Sequence, residues 1–112
     1  ADMVIVDGPK EKVLQKINSL VIDNRQEGKK VAVIATEETK ESYDADVVLS
    51  MGSRRDEDSI AQHLYKILRE CDDLDVEKIF SESFSTPRIG QAIMNRMLKA
   101  AGHQVLHAVD EK

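Results

Sequence analysis

The chain has 112 residues, of which 41% are hydrophobic, and a formal net charge of -5. That length and apolar content suit one domain, residues 1–112, with its own core. The acidic balance lies in short mixed runs and lacks the basic footprint that nucleic-acid binding through phosphates needs. The longest apolar runs are strand-sized and there is no signal-peptide pattern, so no membrane span and a cytoplasmic location are expected. A single cysteine, Cys71, cannot form an internal disulfide. The chain opens at Ala1 and passes at once into a strand-like run, from which we expect a domain excised from a longer polypeptide.

Met3 to Val6 reads as a buried strand ending in the turn Asp7-Gly8-Pro9. Val13, Ile17, Leu20, Val21 and Asn24 then trace a helical stripe up to Gly28. Lys30 to Ala35 is a second strand, and Thr36-Glu37-Glu38-Thr39 predicts a short capped helix through about Tyr43. Asp46 to Met51 is a third strand. Asp56 opens a helix with Ile60, Ala61, Leu64, Ile67, Leu68 and Cys71 on one face, and Val76 to Ser81 is the fourth strand.

The last helix is the most clearly patterned. At about 100° per residue Ile89, Gly90, Ile93, Met94, Met97, Ala100 and Ala101 fall on one arc, with Gln91, Asn95 and Lys99 opposite and Arg96 at the border. Pro87 suits its first turn and Gly102 the position just past its last. Gln104 to Ala108 completes five short apolar strands alternating with helices. This predicts an α/β fold: a three-layer, Rossmann-like domain whose mainly parallel sheet carries helices on both faces.

In such sheets ligands bind beyond the carboxyl ends of the strands, which points to Asp7 to Pro9, Thr36 to Glu38, Gly52 to Arg55 and Glu82 to Pro87. The first turn, Asp-Gly-Pro-Lys, has neither a dinucleotide fingerprint nor a Walker A sequence. Ser81, Ser83 and Ser85 lack the flanking glycines of a nucleophile elbow and read as turn hydroxyls. A receiver domain would need an aspartate where the third strand ends in Met51-Gly52. His103 and His107, four residues apart on a strand, would stand about 13 Å apart, too far for one metal ion. His63 edges its helix's apolar face, and Cys71 sits mid-stripe as a small buried hydrophobe.

Gly52-Ser53-Arg54-Arg55 precedes a helix N-terminus, where free N–H groups and two arginines could hold a phosphate or carboxylate. The competing account is that Asp56, Glu57 and Asp58 neutralise the arginines while Ser53 or Asp56 caps the helix.

Three segments in order, KKVAVIATEE at 29–38, GSRRDEDSIAQHLYKILRECDDLDVEKIFSE at 52–82 and GQAIMNRMLKAAG at 90–102, resemble the C-terminal domain of the two-domain threonylcarbamoyl-AMP synthases. The likeness runs from about Val4 to His107. It departs where the family reads Gly-Leu-Gly and this chain has Arg88-Ile89-Gly90. The resemblance implies a Rossmann-like accessory domain of an enzyme that makes L-threonylcarbamoyladenylate from threonine, bicarbonate and ATP, for threonylcarbamoyladenosine modification of tRNA. It implies no cofactor in this domain, since ATP, and magnesium with it, would belong to the catalytic domain of the parent. No catalytic residue is carried over. The partner it implies is that catalytic domain, with Asn95 and Arg96 as candidate docking residues; direct contact with nucleic acid is not expected.

Overall fold

The computed structural model describes residues 2–53, 55–73, 75–83 and 90–108. In chain order the elements are β1 (Asp2–Asp7), α1 (Lys10–Gln26), β2 (Val31–Ala35), a single 3-10 turn (Lys40–Ser42), β3 (Val47–Ser50), α2 (Glu57–Asp73), β4 (Lys78–Glu82), α3 (Gly90–Ala100) and β5 (Val105–His107). The strands form one sheet in the order β3-β2-β4-β1-β5, and every pairing is parallel.

Alternation along the strands divides the core in two. Met3, Ile5, Ala32, Ile34 and Ile79 face α2 and α3, whose Ile60, Leu64, Ile67, Cys71, Ile93 and Met97 cover them. Val4, Val6, Val31, Val33, Ala35 and Phe80 face the opposite way, onto Val13, Ile17 and Val21 of α1 and the ring of Tyr43. Strands covered on both sides must be apolar at nearly every position, which is why the runs of the inner strands β1, β2 and β4 stand out in the sequence, whereas the edge strands β3 and β5 are only partly covered. Each buried side chain of the α1 stripe contributes roughly 2 kcal/mol through removal of apolar surface from water.

Some predicted boundaries move for identifiable reasons. Asp46 lies outside β3; its Oδ2 accepts the Val31 N–H at 2.9 Å and so closes the start of β2. Gln104 stays outside β5 because its amide donates to Asp2 Oδ1 at 2.7 Å and to the Met3 carbonyl at 3.1 Å. Val76 is buried but precedes the ladder, which begins at Lys78 and runs one residue past Ser81, to Glu82. Ala100, placed on the apolar arc, is exposed, and Met94 is half-buried, so the buried face of α3 is narrower than its periodicity suggests. The predicted helix from Thr36 to Tyr43 contracts to the turn Lys40–Ser42, because Thr36 and Thr39 direct their hydroxyls inward rather than capping a helix. Pro87 and Ile89 lie outside the described residues.

Beyond the carboxyl ends of the strands, neighbouring connections part to opposite faces of the sheet. The connections after β1 and β2 carry α1 and Tyr43, which pack on one face, whereas those after β3 and β4 lead to α2 and α3 on the other. β4 lies between β2 and β1. At its carboxyl end, therefore, neighbouring connections leave for opposite faces, the arrangement that opens a crevice in doubly wound sheets.

Candidate functional site

The carboxyl end of β4 carries Glu82, whose side chain occupies the α1 side of the sheet and is 2% exposed. Its Oε2 accepts the Thr39 hydroxyl at 2.7 Å and the Tyr43 hydroxyl at 2.5 Å. Thr39 Oγ1, its own proton directed to the carboxylate, accepts the Thr36 N–H at 3.2 Å and the Thr36 hydroxyl at 3.0 Å. The direction of every bond in this chain follows from a carboxylate that can only accept. On the other side of β4's end, the Ser83 hydroxyl donates to Asp7 Oδ1 at 2.7 Å and ties the exits of β4 and β1 together.

The rim continues over β2 and β3. Ser50 donates to Glu37 Oε2 at 2.5 Å, Ser53 to Glu38 Oε2 at 2.5 Å, and the Glu37 N–H to the Gly52 carbonyl at 3.0 Å. The Ser50 hydroxyl, and after it the Lys40 ammonium, hold the Glu37 carboxyl below its usual range.

At Gly52 to Arg55 two of the backbone donors already have internal acceptors. The Gly52 N–H reaches Ser50 Oγ at 3.2 Å and the Arg55 N–H reaches Ser53 Oγ at 3.1 Å. Asp56 Oδ1 accepts the N–H of Ser59 at 3.1 Å, which is the capping geometry at the start of α2. Arg54 lies outside the described residues, and Arg55 is exposed.

Asn95 and Arg96 are both on the exposed side of α3. Arg96 does not reach into solvent alone: its guanidinium lies over the ring of Tyr65 on α2, 4.9 Å from the centroid, and Tyr65 itself is 52% exposed. Such a contact is worth about 0.5–1 kcal/mol at an exposed site and holds the guanidinium plane in one orientation.

The remaining candidates do not assemble into a site among the described residues. His63 Nδ1 is 2.7 Å from the Ser59 carbonyl, so that nitrogen carries the proton and cannot accept one from the Ser59 hydroxyl 3.3 Å away. His103 and His107 are exposed. Among the described residues no group of three potential ligands gathers that could hold a metal ion. Burial pushes the Cys71 thiol up to about 11. A thiol reagent is therefore expected to label the native chain slowly and the denatured chain fast; rapid native labelling would contradict the position of Cys71 inside the α2 stripe.

Sequence reasoning marked the segment beginning at Glu82 without giving that residue a role. The available signal was an acid closing an otherwise apolar strand, together with Thr36, Thr39 and Tyr43 in one short connection. What it could not supply was the pairing of β4 with β2, which brings residues 39 and 82 together.

A parallel five-stranded sheet with helices on both faces and a polar rim over its carboxyl ends defines a doubly wound α/β domain. A family model described as "Threonylcarbamoyl-AMP synthase, C-terminal domain" matches residues 1–102, and the chain belongs to that family. It is 40% identical over 106 residues to the threonylcarbamoyl-AMP synthase of Pyrococcus abyssi, covering 95% of this chain but 29% of that protein. A solved structure of a variant P. abyssi Sua5 superposes with a TM-score of 0.87 at 37% identity, over 100% of this chain and 31% of the other. The structure of a C-terminal Sua5 domain from Pyrococcus horikoshii matches with a TM-score of 0.75 at 36% identity, over 96% of this chain and 97% of the other. The chain thus spans less than a third of the length of the P. abyssi synthase. Among the described residues no helix is long and apolar enough to cross a membrane.

Proposed function

We propose that this chain is an accessory, regulatory domain of an L-threonylcarbamoyladenylate synthase and docks on a catalytic domain. The parent enzyme joins threonine, bicarbonate and ATP into threonylcarbamoyl-AMP, with release of pyrophosphate, for threonylcarbamoyladenosine modification of tRNA. This work belongs in the cytoplasm, and the acidic domain takes part without touching nucleic acid itself. ATP and magnesium are handled by the catalytic domain. The observation that carries the reading is the proportion of the match: nearly all of this chain against 29% of a synthase.

The docking face is the exposed side of α3, with Arg96 as its anchor and Asn95 beside it. An arginine already oriented by Tyr65 loses less freedom when a partner carboxylate or carbonyl engages it, and buried arginines carry a large share of interface energy. Arg96→Ala in the full-length parent is expected to lower synthase activity at subsaturating ATP by about tenfold, the scale of an interface anchor. In this chain alone the same change should cost no more than about 1 kcal/mol of stability, the value of an exposed cation–π contact. Equal activity of variant and parent would remove the docking role from this face.

Anion sensing at Gly52 to Arg55 is the weaker reading, because the Gly52 and Arg55 N–H groups and the start of α2 are satisfied internally. Saturable binding of ATP, AMP or phosphate by the chain, lost in Arg55→Ala, would reinstate it.

A further inference from the structure

We propose that residues 36–46, the connection between β2 and β3, form a strap that opens as one unit while the sheet stays intact, and that the Glu82 carboxylate is its latch. The inference is independent of how the domain docks.

The strap's own backbone bonds are short-range: the N–H groups of Thr39 and Lys40 go to the Thr36 carbonyl at 3.1 and 2.8 Å, and that of Ser42 to the Thr39 carbonyl at 2.9 Å. Across to other elements, its only backbone bond among the described residues is the Glu37 N–H to the Gly52 carbonyl. The side-chain ties from Asn18 to the Ser42 carbonyl, from Arg25 to the Asp44 carbonyl, and from Ser50 and Ser53 to Glu37 and Glu38 are exposed. Water competes for every one of these four, so each adds little; the half-buried bond from the Val31 N–H to Asp46 Oδ2, at 2.9 Å, sits at the strap's last residue, where it meets β3.

The buried attachment is different in kind. Thr39 is 1% exposed and Tyr43 7%, and both hydroxyls converge on one oxygen of a carboxylate that is itself buried. Hydrogen bonds to a charged acceptor shielded from water are the strong ones. The latch is mounted on a strand held on both sides, since Ser81 and Glu82 pair with Ile5 and Val6 of β1 and Ser81 also with Ile34 of β2. A rigid post and a strap whose buried hold, among the described residues, is the packed Tyr43 ring and the Thr39 and Tyr43 hydroxyls on Glu82 are the ingredients of a cooperative local opening. Opening would uncover Thr36 and Glu82 at the carboxyl ends of β2 and β4, where the connections to the two faces part.

Native-state hydrogen exchange on the 112-residue chain, followed residue by residue at increasing subdenaturing urea, tests this. The Glu37, Thr39, Lys40 and Ser42 amides are expected to share one opening free energy, lower than that of Val6, Val33 and Ile34 and with a shallower urea dependence. Tyr43→Phe keeps the ring and deletes one bond to the latch; it should speed exchange of these four amides by about tenfold or more, the scale for a bond to a charged group. Glu82→Gln should act in the same direction, and Tyr43→Phe carries the test if that variant does not fold. The strap is overturned if the four amides open only with the sheet at the same urea dependence, if they open with unrelated free energies, or if Tyr43→Phe leaves their exchange unchanged.

Discussion

Glu82→Ala is expected to destabilise the chain by about 3 kcal/mol, the sum for two buried hydroxyls left without an acceptor plus a small cavity. In the folded protein the Thr39 and Tyr43 hydroxyls donate to one carboxylate oxygen, and both residues are buried. With alanine at 82 the Thr39 hydroxyl can turn back toward Thr36 Oγ1, 3.0 Å away, which recovers part of the loss. The Tyr43 ring is fixed in the α1-side core, which limits how far its hydroxyl can move toward water. Thermal unfolding should register a drop of roughly 12 °C, taking about 4 °C per kcal/mol for a domain of this size. A variant melting within about 3 °C of the unsubstituted chain would mean that the network contributes specificity without stability, as some buried ionic groups do. Comparison with Glu82→Gln separates charge from shape, since glutamine retains one carbonyl acceptor but brings donors that the site does not need.

The fold was legible in the sequence because burial on both faces makes each inner strand a short apolar run. β1, β2 and β4 could be read, to within two residues, from Met3 to Val6, Lys30 to Ala35 and Val76 to Ser81 without knowing their neighbours. The buried stripe of α2, Ile60, Leu64, Ile67 and Cys71, was equally direct. The strand order was not legible, since local pattern carries no information on which strand lies beside which. That gap concealed the site: Glu82 meets Thr39 and Tyr43 only because β4 inserts between β1 and β2. The same ignorance produced the overlong helix at Thr36 to Tyr43. A Thr-Glu-Glu-Thr run favours a helix start when its hydroxyls have no better partner, and here a carboxylate from residue 82 is the better partner. Arg96, read at the border of the apolar arc, is exposed, and its stacking on Tyr65 depends on how α2 and α3 lie side by side, which periodicity within one helix cannot supply.

Gly8→Ala is expected to cost about 3 kcal/mol, combining a backbone conformation that L residues avoid with a clash against backbone. Gly8 follows β1 with a φ of 142°. A Cβ built there would stand 2.5 Å from the carbonyl oxygen of Ala108, whose own N–H donates to the Asp7 carbonyl at 2.7 Å. The obstruction is main chain at the end of β5, so no side chain can rotate away. Relief requires the β5 end to shift, which loosens the short pairing of Asp7 with His107 and uncovers Ala108. Gly102 provides the contrast. It has a φ of 60° with nothing within 4 Å of a Cβ, so Gly102→Ala should pay only the left-handed backbone cost of about 1 kcal/mol. Urea unfolding of the two variants measures the difference directly. If Gly8→Ala proves no worse than Gly102→Ala, the end of β5 moves freely and Ala108 does not seal the exit of β1; a difference of about 2 kcal/mol assigns the excess to close approach rather than to φ alone.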